Sequence, residues 1–272
     1  MDLGKYGHLT YSTLVHPGDT WDEMWASLTT YVPRVKARLS PDKPFGVSLR
    51  LSASSAQTLT DSPDERQKLK AFLEDNGLYL YTVNAFPYGP FKGQVVKLNV
   101  YEPDWSTVAR AAYTKQVAAI LAEVCSPSVN PSIQSPPLGY KGNVTSDAVV
   151  EAFAHNVREL AAYLHRLRLS TGRTVTLALE PEPACFLETT EETVAFSPRC
   201  FVLSVPCLPW RRNSMSERLK PAKFYAVTLG RSMTSATRQS NSKTFRPACR
   251  ASSIMIFRCS SCRKRPLFAF RR

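Results

Sequence analysis

Past residue 198 the chain has almost no acid, no histidine and one glycine. Residues 199–272 hold 17 Lys+Arg against the single acid Glu217, a balance of +16. Average composition would place roughly nine acids in a stretch of that length. Residues 1–198 hold 18 Lys+Arg and 21 Asp+Glu, a balance of −3. All four histidines (His8, His16, His155, His165) and ten of the 11 glycines lie in this first part, and five of the seven cysteines lie after it. The net +13 of the 272-residue chain is therefore the property of one end, and it is a poor argument for a nucleic-acid partner of the whole molecule. No run approaches eighteen apolar residues, so no membrane span is expected. The N-terminus has no basic start followed by an apolar stretch, so no secretory signal is expected. Two cysteines in the first part suggest no disulfide framework and point to a reducing cytoplasm. No Gly-x-Gly-x-x-Gly follows the first apolar segment, which weakens a nucleotide-binding reading.

What the first part does have is alternation. Strands are expected at Gly7–Val15, Phe45–Leu51, Leu78–Ala85, Ser132–Ser135 and Thr174–Leu179. Thr20 with Glu23, Ser62 with Glu65 and Thr189 with Glu192 have the spacing of capping boxes and predict three helix starts. Further helices are expected at about Ser106–Val124 and Asp147–Leu169, the latter with apolar residues stepping by three and four and Gly172 as its stop. Strand–helix units of this length imply parallel strands with crossover helices, either a partial (β/α)8 barrel of about five units or an open doubly wound sheet. From Arg199 onward only Phe224–Leu229 and Ser253–Phe257 are candidate strands.

The sharpest local feature is Leu179-Glu180-Pro181-Glu182-Pro183, two carboxylates closing an apolar strand with prolines behind them. At the C-terminal end of a barrel strand a carboxylate can bind a hard cation or act as a base; a solvated acidic turn is the plain alternative. His16, in His16-Pro17-Gly18, falls at the same end of the first unit and could ligate a metal or shuttle a proton, or be an ordinary loop histidine. Asn84–Gly93 is either a substrate-covering loop or a structural connection. His155 and His165 are expected on the helix surface. Cys259-Ser260-Ser261-Cys262 is a single CxxC without a second pair, which is weak as a zinc site.

Several segments, taken in order, resemble the EboE family of metabolite traffic proteins, which have a xylose-isomerase-like TIM barrel. They are Gly7-His8-Leu9-Thr10-Tyr11 with His16-Pro17-Gly18 and Trp21, Lys36 to Pro41, Leu49-Arg50-Leu51-Ser52, Asn84 to Gly89, Pro103-Asp104-Trp105, Ser135-Pro136, Leu164 to Leu167 and Leu179 to Pro183. The resemblance covers about residues 3–197. It implies a sugar-isomerase-type barrel in which Glu180 is a metal ligand, for Mn, Mg or Zn in the intact family form, with Glu182 and His16 as catalytic candidates. It also implies a small-molecule metabolite or sugar-like substrate, and other proteins of the same gene cluster as partners. The activity it implies is isomerase or epimerase-like if the intact barrel is active. The family's later ligands are Asp, His and Glu residues on strands six to eight, and this chain has no His or Asp beyond 165 and only Glu217 beyond 192.

These features divide the chain into a barrel part, 1–198, and a basic Ser/Arg/Cys-rich tail, 199–272. A shift of reading frame near residues 196–199 accounts for the break, since out-of-frame translation of a GC-rich gene gives Arg, Ser, Pro, Ala and Cys with few acids. The rival is a genuine basic tail on a half barrel, whose function would be non-specific nucleic-acid binding by that tail. On the first account the tail is disordered, no metal is bound, no specific nucleic acid is recognised, and the chain as written is poorly soluble and inactive.

Overall fold

A computed structural model describes residues 1–4, 7–90 and 97–200 together with the backbone of Val227–Leu229. The chain enters through β1 (Thr10–Ser12), which ends when Ser12 caps a 3₁₀ turn at Thr13–Val15 by accepting from the Leu14 N–H. This turn cuts the expected first strand to three residues. Next come α1 (Trp21–Leu39), β2 (Phe45–Arg50), α2 (Ala53–Asp61), α3 (Pro63–Asp75) and β3 (Leu78–Asn84). After them come α4 (Val108–Val124), β4 (Ser132–Ser135), α5 (Asp147–Thr171), β5 (Thr176–Leu179), α6 (Thr190–Cys200) and β6 (Val227–Leu229).

The six strands are all parallel and lie side by side in chain order. A doubly wound sheet reverses its strand order at a switch point, and this one does not. The sequential order is that of a partial TIM-like α/β fold. Five strands were expected before the tail. Val227–Leu229, inside the candidate strand Phe224–Leu229, adds a sixth by pairing with Leu177–Leu179. The other tail expectations, including Ser253–Phe257, the CxxC and the basic clusters, lie outside the described residues.

Local chemistry sets the helix boundaries. Thr20 and Glu23 form a full capping box, as do Thr189 and Glu192. The Ser62 box is only half made: Ser62 accepts from the Glu65 N–H, but the Glu65 carboxylate takes the Trp21 indole N–H at 2.7 Å instead. Ser62 also closes α2, a helix absent from the expectations above. Gly172 ends α5 at φ +73°, the left-handed conformation glycine adopts without strain.

Each strand turns one face to the helices. Tyr11, Phe45, Val47, Leu49, Leu80, Val83, Ile133, Leu177 and Leu179 join the core with Leu28 and Val32 of α1, Leu121 of α4 and Leu160 of α5. Strand side chains alternate, so the intervening residues point to the opposite, concave face.

Candidate functional site at the strand ends

The concave face is polar. Register aligns Ser12, Ser48, Thr82, Ser132 and Thr176 as one row across five strands. One layer nearer the C-terminal ends come Arg50, Asn84, Gln134 and Ala178. The β-bulge between Val47 and Ser48 keeps Thr82 and Asn84 in these rows by absorbing an extra residue of β3. TIM-barrel interiors are usually filled by branched apolar side chains, so a polar row is a departure with a consequence for what can occupy it.

Glu180 continues the parity of Thr176 and Ala178. Its N–H still bonds the Ser135 carbonyl at 3.0 Å, so the ladder runs one residue past β5 and aims the side chain at the concave face. The residue is 7% exposed, and no described residue hydrogen-bonds its carboxyl group. Burial, and then the nearby Glu182 charge, push its pKa up to about 7. A carboxyl in that range is part protonated at neutral pH and can either give or take a proton.

Glu182 is held differently. Its backbone N–H bonds the Leu187 carbonyl at 3.2 Å, and its Oε2 accepts from the Tyr101 hydroxyl at 3.0 Å. Burial first, with Cys185 and Glu182 adding, drives the Tyr101 pKa well above its ordinary value, so Tyr101 remains a hydrogen-bond donor. Cys185 is fixed by an antiparallel bridge to Tyr140, and burial raises its thiol pKa.

His16 sits beyond β1, as expected, at the same end of the sheet. Its Nε2 meets the Tyr11 hydroxyl at 2.9 Å, and its ring stacks on Tyr31 at 4.4 Å. These contacts place it in an aromatic cluster, and no described contact joins it to Glu180 or Glu182. His155 is exposed, as expected, whereas His165 is half-buried.

The loop after β3 is pinned where it is described. Arg50 donates to the Gly18 and Gly89 carbonyls and pairs with Asp19. Arg110, with none of its surface exposed, donates to the carbonyls of Ala85 at 2.9 Å, Phe86 at 3.1 Å and Pro103 at 2.7 Å. The Tyr88 carbonyl accepts from the Ala53 N–H. Residues 84–90 are thus a braced rim, which favours the structural reading over a covering loop. Residues 91–93 lie outside the described residues. A cavity of about 210 Å³ opens beside this rim, lined by Pro87–Pro90, Asn99, Val100 and Glu102; neither Glu180 nor Glu182 lines it.

Sequence reasoning missed the rim arginines, because their carbonyl partners are supplied by loops distant along the chain. It also missed the polar rows. The signal was there in the alternation of Phe45–Arg50 and Ser132–Ser135, but only the strand register joins such positions into rows.

The donors do not complete a metal centre. Glu180 and Glu182 offer two carboxylates, and among the described residues no group of three His, Cys, Asp or Glu side chains is placed to hold an ion. Zinc sites use at least three protein ligands, and calcium or manganese take more oxygens. Among the described residues no helix is long and apolar enough to cross a membrane. No family model matches the chain, and no curated protein matches it.

Proposed function

We propose that residues 1–198 are the N-terminal part of a xylose-isomerase-like barrel of the EboE metabolite-traffic kind, and that the strand-end rim binds a small, neutral, hydroxylated metabolite. One observation carries this reading: a buried carboxyl group, Glu180, faces the concave side of the sheet with no described hydrogen-bond partner. One layer below it Gln134 and Asn84 lie in register on the next two strands and offer amide donors, and Glu182 is fixed by Tyr101. Two acids at the rim disfavour a phosphate or carboxylate ligand by like-charge repulsion. The described cation nearest in role, Arg50, already pairs with Asp19.

In this reading Glu180 donates a hydrogen bond to a ligand oxygen when neutral and accepts one when ionised. The divalent metal implied by the resemblance is not carried forward, because the described donors stop at two carboxylates. The chain as written binds without turnover, and the tail after residue 198 is out-of-frame translation. A near-neutral Glu180 also favours a second reading, in which the intact protein moves a proton as an isomerase or epimerase does.

The test is calorimetric titration of the purified chain with sorbitol and with sorbitol 6-phosphate, with and without chelator. Binding of the neutral polyol, weaker binding of the phosphate and indifference to chelator support the first reading. Tighter phosphate binding sinks it, and isomerisation of an added aldose, lost on chelation, replaces it with a metal enzyme. The frame is tested separately, by reading the genomic DNA in the other two frames from codon 190. If no one-base change near codon 196 restores further strand–helix units, the frameshift account is lost.

A further inference from the structure

The row of hydroxyls below the rim has no role in the site described above. Ser12, Ser48, Thr82, Ser132 and Thr176 occupy one register level in five successive strands. Three of the five are already engaged. Ser12 accepts from the Leu14 N–H at 3.3 Å, and Ser132 donates to the Thr82 hydroxyl at 2.8 Å, which in turn donates to the Ser132 carbonyl at 3.1 Å. The Ser48 hydroxyl, on a residue 4% exposed, has no partner among the described residues, nor has that of the half-buried Thr176, and both oxygens keep some contact with solvent. Directly above, Asn84 is 9% exposed; its Oδ1 accepts from the Phe86 N–H, while its amide donors go to no described residue.

Polar groups in so confined a place that find no protein partner nearly always bind ordered water, and one kept dry would forfeit about 1–3 kcal/mol. Here two unengaged hydroxyls and an amide face the same concave surface, on a sheet whose other face takes the apolar side chains. Such a surface asks for small groups that both donate and accept.

We propose that this row is a hydroxyl-binding belt, a second and deeper layer of the concave face that takes a file of O–H groups. Water supplies those groups in the free protein. A hydroxylated ligand would supply them when it fills the rim, an extension that rests on the function proposed above. The belt itself does not need that ligand.

The experiment uses the full chain with threonine methyl groups labelled, and reads magnetisation transfer between water and the methyls of Thr82 and Thr176. Long-lived water contacts at both methyls are expected. Their absence in the unmodified chain overturns the proposal without any variant. A second arm measures the melting temperature of Thr176→Val, an isosteric change. On a wet belt the melting point stays within a few degrees or falls, and the water contact at Thr82 weakens. A clear rise means the position is dry and overturns the proposal. A third arm adds sorbitol. Loss of the water contacts as sorbitol saturates identifies the ligand as the second source of hydroxyls, and persistence identifies water as the sole one. Water contacts without any sorbitol binding leave the belt standing and count against the proposed function alone.

Discussion

Replacing Glu180 by glutamine should stabilise the protein above neutral pH and leave it nearly unchanged near pH 4. Glu180 ordinarily titrates near 4.5, and in the folded chain burial, then Glu182, lift it to about 7. The folded state therefore holds its proton more tightly than the unfolded state. Between pH 4.5 and about 7 the native form binds more protons, so stability falls as pH rises through that window. This is the reverse of a salt-bridged carboxylate, whose contribution is lost as pH falls. At ~1.4 kcal/mol per pH unit, the full cost above pH 7 is about 3 kcal/mol. Glutamine keeps the shape and cannot ionise, so the variant escapes that cost. For a domain of this size 3 kcal/mol corresponds to roughly 6–12 °C in melting temperature. The assay is a pair of melts at pH 4.5 and pH 8 for each protein, compared as a difference so that other titrating groups cancel. Coincident curves at pH 8, or a variant less stable there than the parent, would refute the argument that Glu180 is buried without a partner. The same melts decide whether the chain unfolds cooperatively at all, which the expectation of a poorly soluble fragment says it does not.

Five further substitutions probe the frame around the site. Arg110→Met strips the donors from the Ala85, Phe86 and Pro103 carbonyls and should cost roughly 2–4 kcal/mol in urea denaturation, since each lost bond to a charged donor is worth more than a neutral one. Gly172→Ala meets no atom within 4 Å, so any loss comes from the φ of +73° alone and should be about 1 kcal/mol. Thr20→Ala removes half of an intact capping box and should cost about 1 kcal/mol, whereas Ser62→Ala loses a single N–H bond and should cost no more than that. Tyr101→Phe releases Glu182 and should lower stability by about 1 kcal/mol, while the pH midpoint of sorbitol binding shifts if Glu182 governs the charge on Glu180.

Much of the scaffold was legible because it is written in local chemistry. Capping boxes at Thr20 and Thr189 and the glycine stop at Gly172 act within a few residues, and the structure keeps all three. The sequence pattern left barrel and doubly wound sheet open, since both alternate strand and helix; only the unreversed strand order separates them. Helix α2 escaped because its inward face is Ser55, Ala56 and Leu59, too small and too polar to show a helical apolar stripe. Arg110 looks like any helix-surface arginine until the Ala85 and Phe86 carbonyls, some 25 residues earlier, are folded onto it.

The candidate site divides along the same line. Glu180 and Glu182 were visible as a pair of acids closing a strand, but two residues of spacing say nothing about their unlike surroundings. The strand parity that turns Leu177 and Leu179 into the core necessarily turns Thr176, Ala178 and Glu180 the other way. Glu180 is then the last member of that column, stranded between a buried wall and Glu182. Glu182 lies past Pro181, where the ladder has ended, and there Tyr101 can reach it. One carboxyl is left hungry for a proton or a ligand hydroxyl, and the other is held in place by a phenol. That asymmetry follows from where the β5 ladder stops, so a substitution that shortens or extends the ladder at Glu180 should alter both groups at once.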